Sequence, residues 1–221
     1  MTSDKAFTPA LGYERLTPLY DLAIALLTRE SQWRNRLVSQ IAPTSTDRIL
    51  DVGCGTGSLA IFLKKTAPGA EIIGLDPDTA VLARARKKAA KEDLNIDWRE
   101  GFLTGELVAQ LRPVTCVVSS LVFHQTPLDE KHRILTNMHA VLAPGGPLHV
   151  ADYGLQRSRL ARFLFRRTVQ AIDGVGDTQP NADGVLPGLI EKAGFSEVTE
   201  TGIVPTITGS ISLYRAVKIN S

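Results

Sequence analysis

The segment from Ile49 to Ala60 reads Ile-Leu-Asp-Val-Gly-Cys-Gly-Thr-Gly-Ser-Leu-Ala, and no other stretch of the 221 residues limits the fold so strongly. A short β-branched and aliphatic run ends in Asp51. A loop with Gly53, Gly55 and Gly57 follows, and apolar periodicity starts at Leu59. This is the order strand, glycine turn, helix. Glycine is needed where the chain takes a positive φ or where a ligand presses against bare backbone. A glycine turn that opens a helix cradles nucleotide-like molecules.

The spacing separates the nucleotide classes. A dinucleotide fold has G-x-G-x-x-G, and Ser58 stands where its third glycine would be. A P-loop ends in Gly-Lys-Ser/Thr, whereas the first lysine after this loop is Lys64. A carboxylate just ahead of the loop, Asp51, would repel a pyrophosphate but suits a ligand with positive charge. S-adenosyl-L-methionine carries both an ammonium and a sulfonium. On these residues the segment resembles the first motif of class I S-adenosylmethionine-dependent methyltransferases.

The next strand, expected over residues 71–75, ends in Asp76-Pro77-Asp78. An acid at the tip of the second strand accepts two hydrogen bonds from a ribose diol, a feature that dehydrogenases share. Read locally, the same three residues are a helix start: Asp caps well and Pro fits the first turn. We assign the ribose to Asp76 and the cap to Asp78.

Further along, helices alternate with strands. Leu16, Leu19, Tyr20, Ala23, Ile24 and Leu27 recur at helical spacing, and so do Trp33, Leu37, Val38 and Ile41. Strands are expected at 48–52, 71–75, 95–99, 115–119 and 147–152, with helices at 59–65, 79–90, 129–142, 155–172 and 186–193. Two closing strands, 196–204 and 211–217, are joined by a short turn and must run antiparallel. This predicts an α/β fold: a Rossmann-like, doubly wound seven-stranded sheet, mostly parallel with an antiparallel last strand. The class I methyltransferase sheet is similar, and the resemblance spans about residue 47 to the C-terminus. Residues 1–46 read as an N-terminal helical cap and 47–221 as the methyltransferase domain, with a helical insertion near 155–172. Leu142 to Gly146 (Leu-Ala-Pro-Gly-Gly) is a further family-like element, read as helix stop and turn. Tyr20-Asp21 and the Trp33-Arg34 helix are similar to the ubiquinone/menaquinone C-methyltransferase group.

In such a sheet the ligand lies beyond the carboxyl ends of the strands. The expected cofactor residues are Tyr20, Asp51, Gly53, Cys54, Gly55, Gly57, Asp76, Pro77, Gly101, Phe102 and Ser119. Relatives place Gly-Asp after strand three, the Asp reaching the adenine amino group, but here the Asp position holds Phe102. Its ring either stacks on adenine or fills the core. After strand four, His124 is the candidate general base, as the ionisable side chain of ordinary near-neutral pKa in these loops; alternatively it shapes the pocket through backbone hydrogen bonds. His132, His139 and His149 read as solvent-facing or strand-packed. Asp152-Tyr153 ends strand five, where Tyr153 lines the acceptor site and Asp152 serves either the site or a turn. Leu160, Phe163 and Leu164 form the apolar side of a basic helix that either packs on the sheet or closes over a hydrophobic acceptor.

Exclusions narrow the chemistry. An Asn/Asp-Pro-Pro-aromatic tetrad for base or amide nitrogen is absent, and so is a Pro-Cys nucleophile for pyrimidine carbon. Two cysteines, Cys54 and Cys116, cannot make a metal site at these positions and fit a reducing compartment. Net charge is +2 with 22% charged residues, which gives no electrostatic case for nucleic acid. Residues 1–10 lack a signal-peptide pattern and no apolar run spans a bilayer, so the expected address is the cytoplasm, with no stable membrane insertion. The basic helix leaves peripheral membrane contact open. The function expected is methyl transfer from S-adenosyl-L-methionine to a small, apolar or aromatic acceptor, with no metal. The alternatives are a cofactor-binding regulatory protein without turnover and an NAD-type oxidoreductase. The latter lacks the third glycine and a Tyr-x-x-x-Lys relay. Oligomeric state, acceptor identity and the atom methylated do not follow from these residues.

Overall fold

Buried strands dictate the architecture. β1 (Arg48–Val52), β2 (Glu71–Asp76) and β4 (Cys116–Ser120) are enclosed along almost their whole length, as strands covered by helices on both faces must be. The computed structural model describes residues 29–219. It forms a seven-stranded sheet in the order β3-β2-β1-β4-β5-β7-β6, with β3 at Asp97–Glu100, β5 at Pro147–Tyr153, β6 at Ser196–Thr206 and β7 at Gly209–Val217. β1 to β5 pair in parallel, while β7 runs antiparallel to both β5 and β6. The reversed strand is therefore the last one, inserted between β5 and β6 as a hairpin partner. Strand order turns around at β1, which pairs β2 on one side and β4 on the other. Ligands of open α/β sheets sit above that switch point.

Successive residues of β1 serve opposite layers, because strand side chains alternate. Ile49 packs with Trp33 and Leu37 of α1 (Glu30–Ile41) and Leu63 of α2 (Ser58–Thr66). Leu50 packs on the other face with Leu135 and Met138 of α5 (Leu128–Val141) and Ile190 of α9 (Leu186–Lys192). Each of these side chains is 1% exposed or less, and each such burial stabilises by about 1.5–3 kcal/mol. α1 thus shares the core of the sheet. The predicted helix around Tyr20, and Tyr20 itself, lie outside the described residues.

α3 (Thr79–Lys91) starts where Asp78 accepts hydrogen bonds from Ala80 N at 2.8 Å and Val81 N at 3.3 Å, the capping role expected from its position. Several elements differ from the periodicity. The expected helix 155–172 is two: α6 (Arg159–Arg167) ends at Thr168, and α7 (Val169–Asp173) follows it. Gly174, at φ 84°, then ends α7 and leads into α8 (Val175–Ala182), a helix without a strong apolar stripe and so without a periodic signal. A short α4 (Gly105–Gln110), capped by Thr104, and a single 3₁₀ turn (Phe123–Gln125) are likewise too brief to generate a period. Among the described residues no helix is long and apolar enough to cross a membrane.

Candidate cofactor and acceptor site

At the carboxyl end of β1 the chain must turn sharply under α2. Gly53 and Cys54 donate their N–H groups to Leu75 O at 2.8 and 3.0 Å, which ties the loop to the tip of β2. Gly53, Gly55 and Gly57 all hold positive φ, but two of them are glycine for a second reason. A Cβ on Gly53 would lie 2.3 Å from Val122 Cγ2, and one on Gly57 would lie 2.4 Å from the Trp98 ring. At Gly55 a Cβ would meet nothing within 4 Å. That backbone faces open space, where a ligand can lie on it.

Asp51 sits below this loop and is fully enclosed. Neither of its carboxylate oxygens makes a well-formed hydrogen bond, the backbone N–H of Ala60 being the donor close by. Burial raises its pKa to about 7; the Arg34 guanidinium counters that shift and the Asp76 carboxylate adds to it. Arg34 comes from α1, stacked 5.0 Å over the Trp33 ring, and its own pKa falls to about 10 through burial while Asp51 pulls it back up. Its Nε is also buried without a partner. An acid and a base with unused hydrogen-bonding capacity therefore lie beside the glycine loop. Unpaired groups of this kind are costly unless something binds them.

Asp76, 9% exposed, accepts from Gly55 N at 2.8 Å through Oδ2 and from Asp78 N at 2.9 Å through Oδ1. Burial raises its pKa and these two N–H groups oppose the rise. Each oxygen keeps a lone pair for a diol. Pro77 borders it, half-buried. After β3, Gly101 donates to Asp76 O at 3.1 Å, and Phe102 stands 54% exposed beside it. That exposure removes the core-filling alternative for Phe102. Cys54 is buried with its thiol pKa pushed up by burial, which makes it a packing residue of the loop.

The structure corrects other expected site residues. Ser119 is fully enclosed and donates its hydroxyl to Val52 O at 2.8 Å, so it joins the tips of β1 and β4 instead of presenting a hydroxyl to a ligand. Tyr153 is 4% exposed, and its hydroxyl pairs with Thr208 Oγ1 at 2.7 Å. It stands behind the site, its ring edge-on to His124 at 5.0 Å. Leu160 and Phe163 point outward, 65% and 56% exposed, and Leu164 is half-buried. The inward residue of α6 is Phe165, which packs on Tyr153 at 5.1 Å. The helix turns its other side because α6 packs on β7, where Phe165 lies against Gly209.

His124 lies where its place after β4 puts it, but in a setting that changes its chemistry. Nδ1 donates to Asp152 Oδ1 at 2.8 Å, and Nε2 faces Asp173 Oδ2 at 3.6 Å. Burial disfavours the cation, yet the two carboxylates outweigh it and the pKa rises to about 9. These contacts favour the protonated ring. Asp152 is fully buried and also accepts from the backbone N–H groups of Val122, Phe123, His124 and Tyr153. It is the post that holds the turn after β4. Leu121 opens that turn at φ 56°, a left-handed conformation unusual for a branched side chain.

Lys131, which nothing in the sequence singles out at first reading, is fully buried. Its Nζ donates to Thr126 O and, at 2.8 Å, to Asp177 O. Burial lowers its pKa to about 8, against the pull of Asp152 and Asp177. His124 and Lys131 together tie the α7–α8 connection over the turn after β4. Both Arg34 and Lys131 carry a signal in retrospect: each falls in register with an apolar stripe, Arg34 four residues before Val38 and Lys131 four before Leu135. His132 is exposed, and His149 is buried with Nδ1 2.7 Å from Gln40 Nε2. Among the described residues no group of three His, Cys, Asp or Glu is arranged to hold a metal.

Residues 49–146 match the family described as methyltransferase domain. The chain is 34% identical over 190 residues to the demethylmenaquinone methyltransferase of Thermus thermophilus, covering 81% of this chain and 83% of the relative. It is 30% identical over 210 residues to the demethylmenaquinone methyltransferase of Deinococcus radiodurans, covering 92% and 85%. Among solved structures, magnesium protoporphyrin IX methyltransferase from Synechocystis with bound SAH superposes with a TM-score of 0.63 at 19% identity, over 95% of this chain and 91% of that one. At that identity the likeness is one of fold.

Proposed function

Because this chain belongs to the class I S-adenosylmethionine-dependent methyltransferases, in the group of the demethylmenaquinone and ubiquinone/menaquinone C-methyltransferases, we propose that its acceptor is a hydroxylated aromatic ring of the quinol class, methylated at a ring carbon. Family membership does not favour the oxidoreductase or the non-catalytic readings. The acceptor class is supported by relatives whose length the chain covers almost throughout.

The observation that carries the cofactor site is Asp51. A fully enclosed carboxylate, opposed by the half-buried Arg34 that also pairs with Glu30, fits the ammonium and carboxylate of an amino acid. Bound S-adenosylmethionine supplies a methyl group on a sulfonium, an electron-poor centre open to in-line attack. Asp51 and Arg34 would hold its amino-acid end, the Gly55 backbone would lie against it, Asp76 would take the ribose diol and Phe102 would cover the adenine. These assignments follow the order of strand tips across the switch point. No side-chain nucleophile is required, since the protein contributes by positioning the reactants and excluding water.

His124 acts here as a positioning residue. As an imidazolium it bonds Asp152 and draws Asp173 in, which holds the α7–α8 connection beside the acceptor. The test is incubation with methyl-labelled S-adenosylmethionine and a reduced, ring-unsubstituted naphthoquinol. The expected product carries the label on a ring carbon, as read by carbon NMR. Label on oxygen alone, or on an amine substrate in preference to the quinol, would overturn the acceptor assignment and leave the cofactor site intact.

A further inference from the structure

Eight large apolar side chains are exposed among the described residues, and five of them gather in one region. Leu160 and Phe163 lie on α6, Ile172 on α7, Val175 at the start of α8 and Ile207 on the turn between β6 and β7. Each exposes more than half of its surface. The elements that carry them adjoin one another: α6 packs on β7, α7 adjoins both α6 and α8, and Thr168 Oγ1 donates to Thr208 O at 3.4 Å, next to Ile207. Soluble surfaces scatter such side chains singly, and a gathered patch marks something that covers it.

The charge around this patch says what covers it. Between Tyr153 and Ile172 the chain has five arginines and no acid, in a protein whose net charge is only +2. Arg157 pairs with Glu200 and Arg162 with Asp183. Arg159, Arg166 and Arg167 have no ion-pair partner among the described residues, and Arg167 lies 5.4 Å over the exposed Phe163 ring. Guanidinium groups flanking exposed aliphatic and aromatic side chains match the two layers of a lipid surface, phosphate above and acyl chain below. A second copy paired through the same face would set arginines against arginines. A nucleic acid would satisfy the arginines but leave the isoleucines, leucine and valine without partners.

We propose that the face formed by α6, α7, the start of α8 and the β6–β7 turn docks on an anionic lipid bilayer. Phe163, Leu160 and Ile172 enter the boundary between headgroups and acyl chains, while Arg159, Arg166 and Arg167 engage lipid phosphates. The face runs into the site, since Val175 lies two residues from Asp173, whose carboxylate faces His124. Its use to the enzyme rests on the lipophilic, quinol-class acceptor proposed above, which would pass from the bilayer to the strand tips along this edge.

The test is vesicle flotation of the full chain with no acceptor present, so its outcome is independent of which acceptor is methylated. Vesicles of phosphatidylcholine with about one third phosphatidylglycerol should carry the protein up, pure phosphatidylcholine should not, and about 0.5 M salt should release it. The triple charge reversal R159E/R166E/R167E should lower partition by about 100-fold or more. Phe163→Ser with Ile172→Ser should lower it by at least about tenfold. Unchanged S-adenosylhomocysteine affinity reports folding, and should the triple variant not fold, the double variant decides the outcome. Failure of the wild type to float with anionic vesicles overturns the proposal, as does equal flotation of wild type and folded variants. Self-association lost in Phe163→Ser, or RNA bound in place of vesicles, would overturn it too and assign the face to that partner.

Discussion

Replacing Asp51 by Asn separates what this residue does for the fold from what it does for the cofactor. The side chain keeps its shape and loses its charge. Burial moves the carboxyl from 3.8 to about 7, which corresponds to about 4 kcal/mol against the charged form in the folded, cofactor-free protein. The sign follows from proton uptake. Between pH 3.8 and 7 the folded state holds more protons than the unfolded one, so this group's destabilisation grows as pH rises through that window and is complete above it. Asn does not titrate, but its buried amide without a partner costs about 1–3 kcal/mol. At pH 8 the variant should therefore be more stable than the wild type by about 1–3 kcal/mol. At pH 5 most of that advantage should be gone, a change of about 2–3 kcal/mol in which the amide term cancels. Cofactor affinity should move the opposite way. Losing a charged partner for the ammonium costs about 1.5–3 kcal/mol, or about 10- to 150-fold in dissociation constant. Urea denaturation at the two pH values and titration calorimetry with S-adenosylhomocysteine measure both effects. A stability difference that does not change with pH, or an unchanged affinity, would refute the reasoning.

Asp76→Ala removes the proposed ribose acceptor and the partner of Gly55 N, and should weaken cofactor binding by about 1.5–3 kcal/mol in the same calorimeter. Phe102→Ala should weaken it and Phe102→Leu retain most of it; equal affinities for all three proteins would take Phe102 out of the adenine site. The contribution of His124 to stability is complete below its ordinary pKa of 6.5 and is lost as pH rises toward about 9, about 3 kcal/mol in all. Turnover should decline over the same range, and His124→Gln should flatten that alkaline limb; a limb shared by both proteins would show that another group titrates. Gly57→Ala places a Cβ 2.4 Å from the Trp98 ring at φ 75° and should destabilise by more than about 2 kcal/mol in thermal unfolding, whereas the space at Gly55 predicts a smaller loss there.

The sheet was legible because its causes are local. Strands covered on both faces need continuous apolar runs, helices between them need a 3.6-residue period, and both are written in the order of residues. The glycine loop and the two strand-tip acids were legible for a related reason, since positive φ and a carboxylate at a strand end leave few alternatives. The short α4, the 3₁₀ turn and α8 were not legible, being too brief or too weakly striped to carry a period. For α6 the period marks an amphipathic helix, but which side faces the sheet depends on β7 lying underneath, and that places Phe165 inward and Phe163 outward.

The sequence alone determined the fold class, the family resemblance and which strand tips a cofactor would meet. Only the tertiary structure decided the charge states within the site. Asp51 has its raised pKa because burial strips water from it and the Asp76 carboxylate lies near, an effect that Arg34, seventeen residues earlier in the chain, only partly offsets. The pKa of His124 rises because Asp152 and Asp173 converge on it from 28 and 49 residues away. Protonation depends on distance, desolvation and neighbouring charge, and these are properties of packed elements that no local pattern of residues contains.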